Sequence, residues 1–140
     1  MEINVNIVAV LVAAVAQFII GAIWYMPLFG KLWGKIHGFD EYDADTQKAM
    51  QKQMLPLLAL QFVLGFLTAY VLAHLMTLVD SASIYKFAFL LWLGFIVPTQ
   101  IGAVIFGDTK PKWFVSKTMI MAGGSLACVM TAAWIIHAMG

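Results

Sequence analysis

Polar and apolar residues do not alternate along this chain; they are segregated into blocks. Residues 3–30, 53–79, 87–107 and 118–140 contain no Asp, Glu, Lys or Arg. A helix rises 1.5 Å per residue, so about 20 apolar residues cross a hydrocarbon layer ~30 Å thick, and every block is long enough. A spanning strand needs only about ten residues of alternating polarity, a pattern these blocks lack. The pattern predicts an all-α polytopic membrane protein. It has four transmembrane helices at about 4–26, 56–78, 86–107 and 115–138, packed as one bundle in a single domain over 1–140. Ala14 and Ala16 mimic a signal-cleavage site. However, the amino end carries Glu2 and no Lys or Arg, so the first block reads as a retained membrane helix.

Lysine placement predicts orientation. Lys31, Lys35, Lys48 and Lys52 fall in the first connection and Lys110, Lys112 and Lys117 in the third; only Lys86 edges the opposite side. Basic loops stay in the cytoplasm. This places loops 27–55 and 108–114 inside, and both termini outside, a plasma (inner) membrane. Trp24, Tyr25, Phe106, Trp113 and Phe114 then fall at the inner interface and Tyr85 and Trp134 near the outer one, where aromatic rings act as anchors.

Composition narrows the function classes. The chain is 63% hydrophobic and 11% charged, with a mean hydropathy of +0.91, more apolar surface than a soluble domain of this size can hide. A net charge of +1 gives no concentrated basic face for nucleic acid. The single cysteine, Cys128, has no internal disulfide partner, and no Cys/His zinc spacing occurs. No nucleophile–base pair, metal cluster or cofactor motif is present, so the expectation is a protein that is not an enzyme and holds no cofactor. Nine methionines are scattered, which suits flexible apolar packing rather than copper binding.

The first loop has structure of its own. Pro27 is placed to open a short helix and Gly38 to close it. Phe29, Leu32, Trp33 and Ile36 then share one face, opposite Lys31 and Lys35, as in a helix lying in the headgroup layer. Gly30 and Gly34 cost ~1 kcal/mol each against Ala, so it forms only when docked on lipid or on the bundle. Asp40, Glu41, Asp43 and Asp45 follow. They offer a divalent-cation site or a solvated turn with Asp45 capping the next helix; the spacing matches no calcium loop, which favours the turn. Residues 46–54 favour helix and extend the second span, with a bend expected at Pro56.

No charged side chain sits deep in a span, which argues against ion-coupled transport. Small four-helix multidrug exporters depend on a glutamate in the first helix, where this chain offers Gln17. Gln17 and Gln100 lie ~13 Å and ~10 Å from the inner ends of their helices. With the shallower Gln61 and with Ser125 they define a candidate polar layer for a small polar solute. The competing and preferred reading is hydrogen bonding between helices, worth about 0.6 kcal/mol per contact. Pro98, beside Thr99, is the expected bend in the third span. Ala9 and Ala13, and Gly123 with Ala127 and Gly124, are spaced for close helix approach.

Two internal echoes appear. Gly21-Ala22-Ile23 with Tyr25, Lys31 and Trp33 matches Gly102-Ala103-Val104 with Phe106, Lys112 and Phe114. Thr68-Ala69 with His74 and Met76 matches Thr131-Ala132 with His137 and Met139. They suggest two related helix pairs. They also bring His74 and His137 toward one face, either as a metal or pH-sensing pair or, as preferred, as two independent interfacial residues.

The string Gly21-Ala-Ile-Trp24-Tyr25-Met-Pro27-Leu-Phe29-Gly30-Lys31-Leu-Trp33 resembles the signature of the small membrane family called domain of unknown function 1761. Trp92-Leu93-Gly94-Phe95, and Tyr70 with Ala73, resemble its later landmarks. The resemblance implies a four-helix membrane protein and carries over no activity. Physically, the motif is either a depth anchor or a pocket for a lipid headgroup or anion under Trp24 and Tyr25, with Lys31 reaching the phosphate. The functional expectation is binding or passage of a small ligand by a homo-oligomeric bundle, with Gln17, Gln100, Trp24, Tyr25 and Lys31 as candidate binding residues. The alternative is a structural or accessory subunit, or a lipid sensor, with no solute pathway. Membrane lipids, further copies of the chain and a partner protein are the expected partners.

Overall fold

Asn6 starts the first helix: its Oδ1 accepts hydrogen bonds from the N–H groups of Val8 (3.0 Å) and Ala9 (3.2 Å). Such a cap satisfies donors that no helix can satisfy internally, and it sets the start of α1 (Ile7–Ile23) later than apolarity alone suggests. The computed structural model describes residues 4–140, so Glu2, which bounds the first apolar block, lies outside the described residues. Five more helices follow: α2 (Gly30–Ile36), α3 (Ala44–Met76), α4 (Ile84–Leu91), α5 (Val97–Phe106) and α6 (Phe114–Met139). No strand occurs among the described residues.

Four helical stretches are long and apolar enough to cross a membrane: Ile7–Leu28, Ala44–Met76, Ser81–Phe106 and Pro111–Met139. Two of them contain a wider π-helical turn, at Trp24–Leu28 and Trp92–Ile96. Both adjoin a proline, which lacks an N–H and pushes away the carbonyl one turn back. Widening the turn absorbs that defect. Pro27 therefore belongs to the end of the first span and does not open the short helix, which begins at Gly30. In the third span the irregularity lies just before Pro98.

The second span also differs in detail from expectation. Its N-cap is Asp43, accepting from the Thr46 N–H at 3.0 Å, and not Asp45. The helix then runs unbroken through Pro56 to Met76, about 50 Å at 1.5 Å per residue. The extension over 46–54 is thus part of one helix with the apolar span.

The bundle is built on α1 and α6. Ala9, Val10 and Ala13 on α1, and Val129, Ala132 and Ala133 on α6, are buried; small side chains let the two backbones approach. Asn6 Nδ2 donates to Met139 O at 2.8 Å, joining the start of α1 to the end of α6 on one face. The second span packs along α1, and the third along α6. The second and third spans touch each other only slightly. Within each consecutive pair, first with second and third with fourth, the helices pack on one another. Outward faces stay apolar, with Phe95 73% and Phe106 89% exposed.

Candidate functional site

The two wide turns share a feature. Each begins with a tryptophan whose indole N–H reaches the same stretch of α6. Trp24 Nε1 donates to Ile120 O at 2.8 Å. Trp92 Nε1 donates to Ser125 Oγ at 2.9 Å and to Ala122 O at 3.2 Å. A helix carbonyl has a second lone pair, so these donors add to the helical ladder without breaking it. Gly123 and Gly124 make room: a Cβ at either would come within about 3 Å of the Trp24 ring. Trp24 is half-buried between helices.

The glutamines behave similarly. Gln17, buried on α1, donates through Nε2 to Gly65 O at 3.3 Å, across to α3. Gln100 Nε2 donates to Met121 O at 3.3 Å, and its Oε1 lies 3.1 Å from the Ser125 hydroxyl. Ser125 thus links Trp92, Gln100 and α6. Gln17 and Gln100 meet different helices and share no hydrogen bond. Gln61 is exposed and does not join an internal layer. Among the described residues, Thr118 Oγ1 is the one buried side-chain oxygen or nitrogen without a partner.

The first-loop helix docks on the bundle as its apolar face requires. Phe29, Leu32, Trp33 and Ile36 are half-buried, and Lys31 and Lys35 are exposed. The Tyr25 and Trp33 rings meet edge-on at 4.8 Å, and those of Trp24 and Phe29 lie 5.2 Å apart. The space beside the Trp24–Tyr25 pair is therefore taken up by the chain's own rings. Lys31 does not line a nearby polar pocket of about 360 Å³. That pocket lies between the end of α2 and the connection before α6, and Lys35, Glu41, Asp108, Thr109, Lys110 and Lys117 line it. Lys117 sits 5.8 Å from the Trp33 ring centre, with Nζ 3.5 Å from Thr109 Oγ1. Sequence spacing did not expose this cluster, because α2 and the third connection are some 70 residues apart.

A second, open groove of about 300 Å³ runs between the second and third spans and is almost wholly apolar. Leu67, Val71, Leu75, Leu91, Ile96 and Val129 line it. Neither Gln17 nor Gln100 lines this groove or the polar pocket.

The remaining titratable residues are separate. His74 Nδ1 donates to Tyr70 O at 2.9 Å, while His137 meets the edge of Tyr85 at 6.2 Å; each histidine has its own tyrosine. In the acidic turn, hydrogen bonds from Thr46 hold the Asp43 carboxyl below its ordinary range. No group of three His, Cys, Asp or Glu among the described residues is placed to hold a metal ion.

No curated protein and no solved structure matches this chain. The family model described as Protein of unknown function (DUF1761) matches residues 8–137, which takes in all six helices but for one residue at the start of α1 and two at the end of α6. With the Gly21–Trp33 motif folded into the first wide turn and α2, the chain belongs to the DUF1761 family.

Proposed function

We propose that this protein is a non-catalytic, four-span membrane subunit that acts by binding lipid and other protein at its surfaces, and not by passing solute through its own bundle. One observation supports this most. Four polar side chains within the spans, those of Gln17, Trp24, Trp92 and Gln100, each donate to a backbone carbonyl of a neighbouring helix. In hydrocarbon such groups need partners, and here those partners are the bundle itself. Four helices packed on small residues leave these four side chains committed to assembly. The lysine-bearing connections stand on the cytoplasmic side of a plasma membrane, by the positive-inside argument, with both termini outside.

Homo-oligomerisation is favoured by a separate observation. Gln61 lies exposed on the apolar flank of the second span, one turn from Gly65, which bonds Gln17. An amide facing acyl chains is costly unless it finds a hydrogen-bonding partner, and the same residue of a second copy would supply one.

Reconstitution into sealed vesicles tests the main reading. Permeability to small polar solutes should equal that of protein-free vesicles, while the protein retains bound lipid. A solute flux that rises with protein content contradicts it. For the oligomer, Gln61→Leu should lower the mass of the particle in mild detergent, and an unchanged mass contradicts that part.

A further inference from the structure

We infer that the pocket between α2 and the third connection binds a phosphate ester that also carries an ammonium group, of the aminoethyl phosphate type. Three elements converge there. Lys35 comes from the end of α2, Lys110 from the connection, and Lys117 from the first turn of α6. Glu41 and Asp108 line the same space. Three ammonium groups against two carboxylates leave a net charge of +1.

That mixture selects the ligand. A lone phosphate would meet the lysines but also two like charges. A zwitterion places its phosphate on the lysines and its ammonium on Glu41 or Asp108, so both signs of charge in the pocket meet a complementary group. The walls are built rather than merely crowded. Lys117 is half-buried and held between the Trp33 face and Thr109; a ring face attracts a cation. Gly38 turns the chain at φ 73° and Asp108 at φ 59°, left-handed conformations that set both rims. Gly107 is also constrained, since a Cβ there would lie 2.5 Å from Ala103 O. The pocket stands between the end of the third apolar stretch and the start of the fourth, which on the membrane reading is the level of the bilayer surface. The inference rests on the membrane-binding reading above, and two sources share this chemistry: the headgroup of a lipid, or a soluble phosphoethanolamine.

The test uses the full-length protein, stripped of lipid in detergent. It is titrated calorimetrically with short-chain phosphatidylethanolamine, short-chain phosphatidylglycerol, phosphoethanolamine and inorganic phosphate. Phosphatidylethanolamine or phosphoethanolamine should bind at least about tenfold more tightly than phosphatidylglycerol or phosphate. Binding by the lipid alone assigns the headgroup as the source, and equal binding by phosphoethanolamine assigns the soluble ligand. Lys117→Gln should weaken binding about tenfold, as loss of one charge-assisted hydrogen bond does, with Lys117→Arg restoring it. Glu41→Gln combined with Asp108→Asn should erase the preference over phosphatidylglycerol, and Lys31→Gln, outside the pocket, should change nothing. Equal affinity for all four ligands, or insensitivity to Lys117→Gln in a variant with unchanged melting, overturns the inference. The membrane-binding reading fails separately, through solute flux in the vesicle experiment.

Discussion

Trp24 occupies the place where side chains on Gly124 and Gly123 would stand. A Cβ on Gly124 would lie 3.0 Å from Trp24 Cδ1, and one on Gly123 would lie 2.9 Å from Cζ2. The indole N–H completes the contact by donating to Ile120 O. The first wide turn is thereby pinned to the fourth span, and α2 follows directly from that turn.

Adding a methyl group at either glycine should therefore be destabilising despite the gain in helix propensity. Gly124→Ala and Gly123→Ala should lower stability by ~1–3 kcal/mol, the usual cost of overpacking. Gly21 and Gly102 have open space where a Cβ would go, so Gly21→Ala and Gly102→Ala should be neutral or stabilising by up to ~1 kcal/mol. Thermal melts of the four variants in one detergent separate these outcomes.

The four long apolar helices were legible in sequence because charged residues interrupt the chain only between them: each block between charges became helical. Their ends were less so. Asn6, Asp43 and Pro27 each moved a boundary, since capping and ring geometry act through single atoms that a hydropathy pattern averages away. The amphipathic face of α2 was readable from its 3.6-residue period. Its docking against Tyr25 was not, because that contact pairs residues on two helices. Gln17 and Gln100 were visible as polar residues inside apolar blocks, but the choice between a ligand site and helix bonding depends on what lies opposite. The Lys35–Lys110–Lys117 cluster has no local signature at all. It exists only once α2 folds back beside the third connection.

Hydrogen bonding between the spans predicts a pattern of energetic coupling. Gln100→Leu and Ser125→Ala should each cost about 0.6 kcal/mol and at most ~1.7, and the double variant should cost less than their sum because both remove one shared contact. Gln17→Leu and Gln100→Leu act at different interfaces, so their effects should add within about 0.5 kcal/mol. A double-mutant cycle on unfolding checks both statements.

The capping residue of α3 predicts a pH response. The Asp43 carboxyl is held below its ordinary range by bonds from Thr46. Its contribution is therefore present above the unfolded-state value and is lost as pH falls through the lower folded value. The protection factors of the Thr46 and Gln47 amides against hydrogen exchange should fall on acidification below about pH 4 and stay level above pH 5. Asp43→Ala should abolish this response with the first turn frayed throughout, while Asp45→Ala should leave it intact.

The central claim is that four helices each cross a bilayer, with both lysine-bearing connections on one side. The most direct measurement is cysteine accessibility in sealed, oriented vesicles, in a Cys128→Ala background. Asp45→Cys, Ser81→Cys, Lys110→Cys and Gly140→Cys are probed singly with a membrane-impermeant thiol reagent. Positions 45 and 110 should label only from the cytoplasmic side, and positions 81 and 140 only from the opposite side. Labelling of all four from one side, or of 45 and 110 from different sides, contradicts the four-span account.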